Sequence, residues 1–128
     1  MSEKLHIEPL EKAILSLQKA LNVEPVDDIV RDAVIQRFEY SFELSWKFMK
    51  RYLKDFAGIE EHQIKEIFRE SAKIGLIDNP ENWFDYYKAR NLTSHTYNEE
   101  TAEETFKYAQ QFIHDATQFL ANLKDQLS

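Results

Sequence analysis

Positions 90 to 97 read Arg-Asn-Leu-Thr-Ser-His-Thr-Tyr. Few other stretches of this chain hold so many side chains able to do chemistry. Arginine offers a planar, permanently charged fork that matches phosphate geometry. Histidine titrates near neutral pH and can move a proton. Together Arg90 and His95 could hold a phosphodiester and assist attack by a neighbouring ribose hydroxyl, without a metal. At about 100° per residue, Trp83, Tyr86, Tyr87, Arg90, Ser94 and Tyr97 fall on one stripe, provided the helix runs that far. Asn91 stands one turn before His95 and can orient its imidazole. The same residues also fit an arginine paired to a carboxylate and a helix-capping histidine, since structural ion-pair networks are common.

The elements that carry this segment follow from composition. The chain has 128 residues, a length that suits one domain spanning 1–128. Only 2 Gly and 3 Pro occur, too few for a turn-rich β fold. Cysteine is absent, which excludes disulfides, thiolate metal sites and a Cys nucleophile. The formal net charge of −7 disfavours a non-specific nucleic-acid coat protein, though not a local cationic site. The start, Met1-Ser2-Glu3-Lys4-Leu5-His6, lacks the apolar core of a signal peptide. No run approaches the roughly 18 apolar residues of a membrane span, so a cytoplasmic protein without membrane contact is expected.

The expected fold is all-α, an up-and-down bundle of about five helices. The first covers about Lys4 to Leu21. The second, from an Asp27 or Asp28 cap to Phe56, is the long spine, with Val30, Val34, Phe38, Phe42, Ser45, Met49, Tyr52 and Phe56 inward. Gly58 should stop it. The third covers about Glu61 to Ile74 and ends in a Schellman turn at Gly75 and Leu76. Asn79-Pro80 opens the fourth. The fifth begins near Asn98 or Thr101, where Thr101 and Glu104 could form a capping box. Glu99, Glu100, Glu103 and Glu104 should complement its dipole.

Lys47, Lys50, Arg51 and Lys54 share one face of the spine, a possible contact for RNA or a partner protein. Ordinary Glu43–Lys47 and Arg51–Asp55 helix pairs explain that face equally well. Glu39 and Glu43 are candidate partners for Arg90. His6, His62 and His114 lack metal-ligand spacing, and neither metal nor cofactor is expected.

Arg90-x4-His95-x-Tyr97 resembles the signature of the HEPN superfamily in its HepT-like branch, also called nucleotidyltransferase substrate-binding proteins. Arg37 to Lys47 is similar to the family's second-helix block, and Phe68 to Ile77 to the block before the motif. The likeness runs from about Asp28 to Thr105. It implies a homodimeric helical toxin that acts as a metal-independent endoribonuclease. The site would be Arg90 and His95 brought together across the dimer, with Asn91 and Ser94 in support. It also implies a small adjacently encoded nucleotidyltransferase as antitoxin, which attaches AMP to Tyr97. The alternative is a non-catalytic subunit that presents substrate or nucleotide to the nucleotidyltransferase.

Overall fold

The computed structural model describes residues 5–128. Its helices are α1 (Glu8–Leu21), α2 (Asp28–Ala57), α3 (Ile64–Lys73), α4 (Pro80–Asn91) and α5 (Glu99–Leu127). A 3-10 turn, Thr93–His95, lies between α4 and α5. No strand occurs among the described residues, and none of their helices is long and apolar enough to cross a membrane. The all-α bundle with one long spine is thus the observed architecture.

The joints sit where local chemistry puts them. Asp27 caps α2, its side chain accepting from the Val30 N–H at 2.8 Å. Gly58 closes that helix in the left-handed region at φ 68°, a conformation glycine adopts without steric cost. After α3 the Leu76 N–H donates to the Ser71 carbonyl and the Gly75 N–H to the Ala72 carbonyl. That is the Schellman pattern, and Leu76 folds back fully buried. Asn79 caps α4 through the Glu81 N–H, with Pro80 at the first helical position.

Two boundaries differ from expectation, and at a third the structure selects one of two expected caps. Helix α1 begins at Glu8 with Pro9 in its first turn, where a missing N–H costs nothing. The expected start at Lys4, like the remainder of Met1–Lys4, lies outside the described residues. Helix α3 starts at Ile64, not Glu61, because Glu61 turns its carboxylate onto the His62 N–H instead. Asn98, rather than Thr101, caps α5, its side chain accepting from the Thr101 N–H. Thr101 is then inside the helix, and no Thr101–Glu104 capping box forms.

Helix α2 packs against α1, α3, α4 and α5, so it is the spine. The core is aromatic at its centre. Trp83 stands edge-on to Phe112 at 5.5 Å between centroids, and Phe112 is likewise edge-on to Phe38 at 5.2 Å. Such edge-to-face pairs add to burial by matching ring edges to ring faces. Of the expected inward stripe of α2, Val34 through Tyr52 is buried. Phe56 is instead exposed and lies stacked on Tyr52.

Tyr86 is buried, and its hydroxyl donates to Asp115 on α5, which also accepts from the Asn82 amide. Burial, then the bond to Asp115, pushes the phenol well above its ordinary range. The neutral phenol is therefore favoured by folding. Its contribution is complete below the free phenol value near 10 and fades as pH rises beyond it. An alkaline absorbance titration should show a tyrosine that ionises only as the protein unfolds, and Tyr86→Phe should remove that step. Ionisation of every tyrosine before unfolding would contradict this account.

Candidate active site at the end of helix α4

The site is built where α4 crosses α2. Tyr87 stacks on Phe42, with centroids 6.4 Å apart and planes 22° from parallel. One turn further along α4, Arg90 meets Glu43, the residue after Phe42. The Arg90 Nε lies 2.7 Å from Glu43 Oε1. The N–H direction is poorly aligned with the carboxylate, so the contact is an ion pair rather than a linear hydrogen bond. Arg90 Nη1 and Nη2 make no hydrogen bond with the described residues. Arg90 is half-buried rather than part of the core; Ala89 takes the buried position beside it.

Helix α4 stops at Asn91, and this changes the expected stripe. The Leu92 N–H bonds back to the Ala89 carbonyl at 3.0 Å, tightening the backbone into the 3-10 turn. Each residue then advances by a third of a turn, and the later side chains rotate off the α-helical line. Trp83 and Tyr86 are buried and Tyr87 half-buried, but Ser94 is exposed and Tyr97 is 87% exposed. The expected support of His95 by Asn91 fails for the same reason: the helix no longer places them one turn apart, and they share no hydrogen bond. His95 instead stands edge-on to Tyr97, with 6.3 Å between ring centroids. His95, Asn91 and Ser94 are all exposed.

The turn itself is fastened to α2. The Thr93 hydroxyl lies 3.0 Å from Glu39 Oε2 and 2.8 Å from the Arg90 carbonyl. The Thr96 hydroxyl donates to the Thr93 carbonyl. Glu43 and Glu39, one turn apart on α2, therefore hold the two ends of the segment that links Arg90 to the turn. Beyond the turn, Glu99 forms a two-pronged pair with Arg31 of α2, at 2.5 and 3.2 Å. The bond to Arg31 holds the Glu99 carboxyl below its ordinary range. Glu99 thus ties α5 to the spine as well as facing the helix dipole. Nothing local in the sequence announces that contact across 68 positions.

A second signal was present in the sequence. On a helical wheel Asp32, Gln36, Glu39, Glu43, Lys47, Lys50 and Lys54 fall within roughly 80° of one another. One polar face of α2 thus runs acidic at its N-terminal half and basic at its C-terminal half. Glu43 stands at the change of sign and contacts both Arg90 and, at 3.8 Å, Lys47. Arg51 pairs with Asp55 at 3.5 Å, as its spacing suggests. Lys50 and Lys54 have no acidic partner among the described residues. On the acidic half, Asp32, Ile35, Gln36, Glu39, Thr93, Thr96 and Tyr97 line an open groove of about 460 Å³. Among the described residues no three of His, Asp or Glu lie close enough together to hold a metal ion.

Known proteins similar to this chain were found by sequence and by shape. Residues 5–125 match the family described as nucleotidyltransferase substrate binding protein like. A protein of Haemophilus influenzae described as a probable ribonuclease HepT is 32% identical over 141 residues, covering 98% of this chain and 97% of its own length. A Thermus thermophilus protein of known crystal structure superposes with a TM-score of 0.83 at 34% identity, covering 89% of this chain and 98% of that one. A Haemophilus influenzae structure, described as revealing the fold of a substrate binding domain of a nucleotidyltransferase, superposes with a TM-score of 0.83 at 30% identity. It covers 93% of this chain and 99% of that one.

Proposed function

This chain belongs to the nucleotidyltransferase substrate binding protein like family, and from that membership we propose that it is the ribonuclease toxin of a two-component pair whose antitoxin is a small nucleotidyltransferase. The observation that carries the reading is Arg90: it is held at Nε by Glu43, and its Nη1 and Nη2 are uncommitted among the described residues, five positions before the exposed His95. A guanidinium presented in this way binds a phosphate with two parallel hydrogen bonds.

In the proposed reaction two copies meet about a two-fold axis, so one motif supplies two sets of groups. His95 of one copy takes the proton of a ribose 2′ hydroxyl, and that oxygen attacks the adjacent phosphorus. Arg90 stabilises the added negative charge. The bond from phosphorus to the 5′ oxygen breaks, and the second copy's His95 protonates the departing oxygen. The products are a 2′,3′-cyclic phosphate and a free 5′ hydroxyl, and no metal is required. Asn91 before the turn and Ser94 within it, both exposed, support the substrate rather than the imidazole.

Neutralisation acts at Tyr97. Its phenol oxygen attacks the α-phosphorus of ATP in the nucleotidyltransferase, pyrophosphate leaves, and the phenolic proton passes to a base of that enzyme. An ordinary phenol is a weak nucleophile at neutral pH, so the partner must activate it. The exposure of Tyr97 supports this assignment, because an enclosed phenol could not enter another enzyme's site. The added phosphate and nucleotide would then stand beside His95 and oppose RNA by charge and bulk.

RNA would run over the basic half of the α2 face, where Lys50 and Lys54 are unpaired among the described residues. The double variant Lys50→Glu, Lys54→Glu should raise KM with little change in kcat. It should also lower the slope of log affinity against log salt by about one per lysine. An unchanged salt slope would take RNA off this face.

The second reading is a non-catalytic subunit that presents substrate or nucleotide to the nucleotidyltransferase. The net charge of −7 and the description of the Haemophilus influenzae substrate binding domain favour it. Expression in a host separates the two. The toxin reading expects growth arrest by this chain alone, relief by His95→Ala, and relief by the co-expressed nucleotidyltransferase that Tyr97→Phe abolishes. Nucleotide binding with no arrest and no cleavage would establish the subunit instead.

A further inference from the structure

We infer that the groove on the acidic half of α2 is a docking site for a nucleoside, and that it seats the adenosine of an adenylyl group carried on Tyr97. This rests on the proposed modification of Tyr97 and specifies where the modifying group goes.

The groove begins at the modified residue, since Tyr97 forms part of its wall. Its volume of about 460 Å³ falls in the range of small-molecule sites, which runs from about 300 to 1,000 Å³. The lining suits a neutral ligand rich in hydrogen-bond donors. Ile35, only 5% exposed, gives an apolar floor for a base. The Gln36 amide both donates and accepts, the pairing that an adenine edge presents. Asp32 and Glu39 can accept from the ribose hydroxyls. Glu39 Oε2 is engaged by Thr93, while Oε1 has no hydrogen-bond partner among the described residues.

The same charges reject other nucleic-acid ligands. Among the described residues no lysine or arginine lines the groove. Arg31, the adjacent cation on α2, is held by Glu99. An RNA backbone would bring its phosphates against Asp32 and Glu39, so RNA is steered to the Arg90 side. An adenylyl group carries one phosphate, and that phosphate stays at the exposed Tyr97 hydroxyl while the neutral nucleoside turns inward. The covalent tether makes even a weak site effective, because docking becomes an intramolecular event. In this arrangement the groove would hold the adduct in place beside His95, and neutralisation would depend on a fixed group rather than a swinging one.

The test uses full-length protein adenylylated by the co-expressed nucleotidyltransferase and then separated from it. Mass spectrometry first locates the adduct. A phosphodiesterase then removes AMP from the tyrosine, and the release rate is compared with that of the Asp32→Ala, Gln36→Ala double variant. Both positions are exposed, so the variant should fold normally. Release should be about tenfold faster in the variant, the change expected for a net loss of one or two solvent-exchanged hydrogen bonds. In the unaltered protein the adenine protons should show nuclear Overhauser contacts to the Ile35 methyls. Equal release rates with no such contacts would overturn the docking site while leaving the modification of Tyr97 intact. An adduct absent from Tyr97 would overturn both. Protection seen only while the nucleotidyltransferase is bound would assign the groove to a side chain of that protein, and would overturn the nucleoside site.

Discussion

Replacing His95 by alanine should, on the proposed ribonuclease reading, lower the rate of RNA cleavage by about 10²- to 10⁴-fold, the usual contribution of a positioned acid–base group. The expected loss is in kcat, because in the proposed reaction His95 acts on protons in flight rather than on the bound phosphate. His95 is exposed and makes no side-chain hydrogen bond among the described residues, so the urea midpoint should not move. Arg90 behaves differently. Arg90→Lys keeps the charge and loses the fork, so two parallel bonds to phosphate become one flexible contact. Its ion pair with Glu43 would also be rebuilt by a group that cannot hold the carboxylate and present a fork at once. Arg90→Lys should therefore remain folded but raise KM as well as lower kcat. A His95→Ala protein with full activity would remove the acid–base role outright.

Trp83→Ala has the largest expected effect on stability. Trp83 is 1% exposed and lies within 6.3 Å, centroid to centroid, of Phe42, Phe68, Tyr86, Phe112 and Phe119. It joins α2, α3, α4 and α5 at one point. Truncating a buried large aromatic removes its transfer energy and leaves a cavity that a rigid neighbourhood cannot fill, about 3–5 kcal/mol in all. Typical domains have only about 5–15 kcal/mol in total, so a large share of the stability would go. Urea denaturation of the variant measures it directly. A loss below about 1 kcal/mol would mean that the aromatic cluster relaxes freely. Because Tyr87 and Arg90 follow Trp83 on the same helix, the site should loosen before the molecule unfolds.

The spine and the joints were legible in the sequence because each is set by local rules. Val34, Phe38, Phe42 and Met49 repeat at helical spacing, and Asp27, Gly58, Gly75 and Asn79 each carry a specific terminating geometry. Arg90, His95 and Tyr97 were legible as residues, and so were the Glu43–Lys47 and Arg51–Asp55 pairs. The stripe through Ser94 and Tyr97 was misplaced, because periodicity cannot show where an α-helix tightens into a 3-10 turn. Thr93 gave no sign of its anchor, since Glu39 lies 54 positions away and the bond exists only once α4 crosses α2. The Arg31–Glu99 pair was hidden for the same reason. The charge reversal along α2 was present in the wheel, yet its meaning depends on which half faces the turn.

The sign of charge along that one face organises the account. Arg90 sits where it changes, with Lys50 and Lys54, unpaired among the described residues, toward one end of α2 and the acidic groove toward the other. An overall charge of −7 is then compatible with RNA cleavage, provided that RNA keeps to the basic half.

The most direct test is incubation of the purified chain with RNA in excess EDTA, with the ends of the products analysed. The account predicts cleavage that leaves 2′,3′-cyclic phosphate ends, persists without divalent cations, and is lost in His95→Ala. Cleavage that requires a metal ion, or that His95→Ala performs equally well, would contradict it.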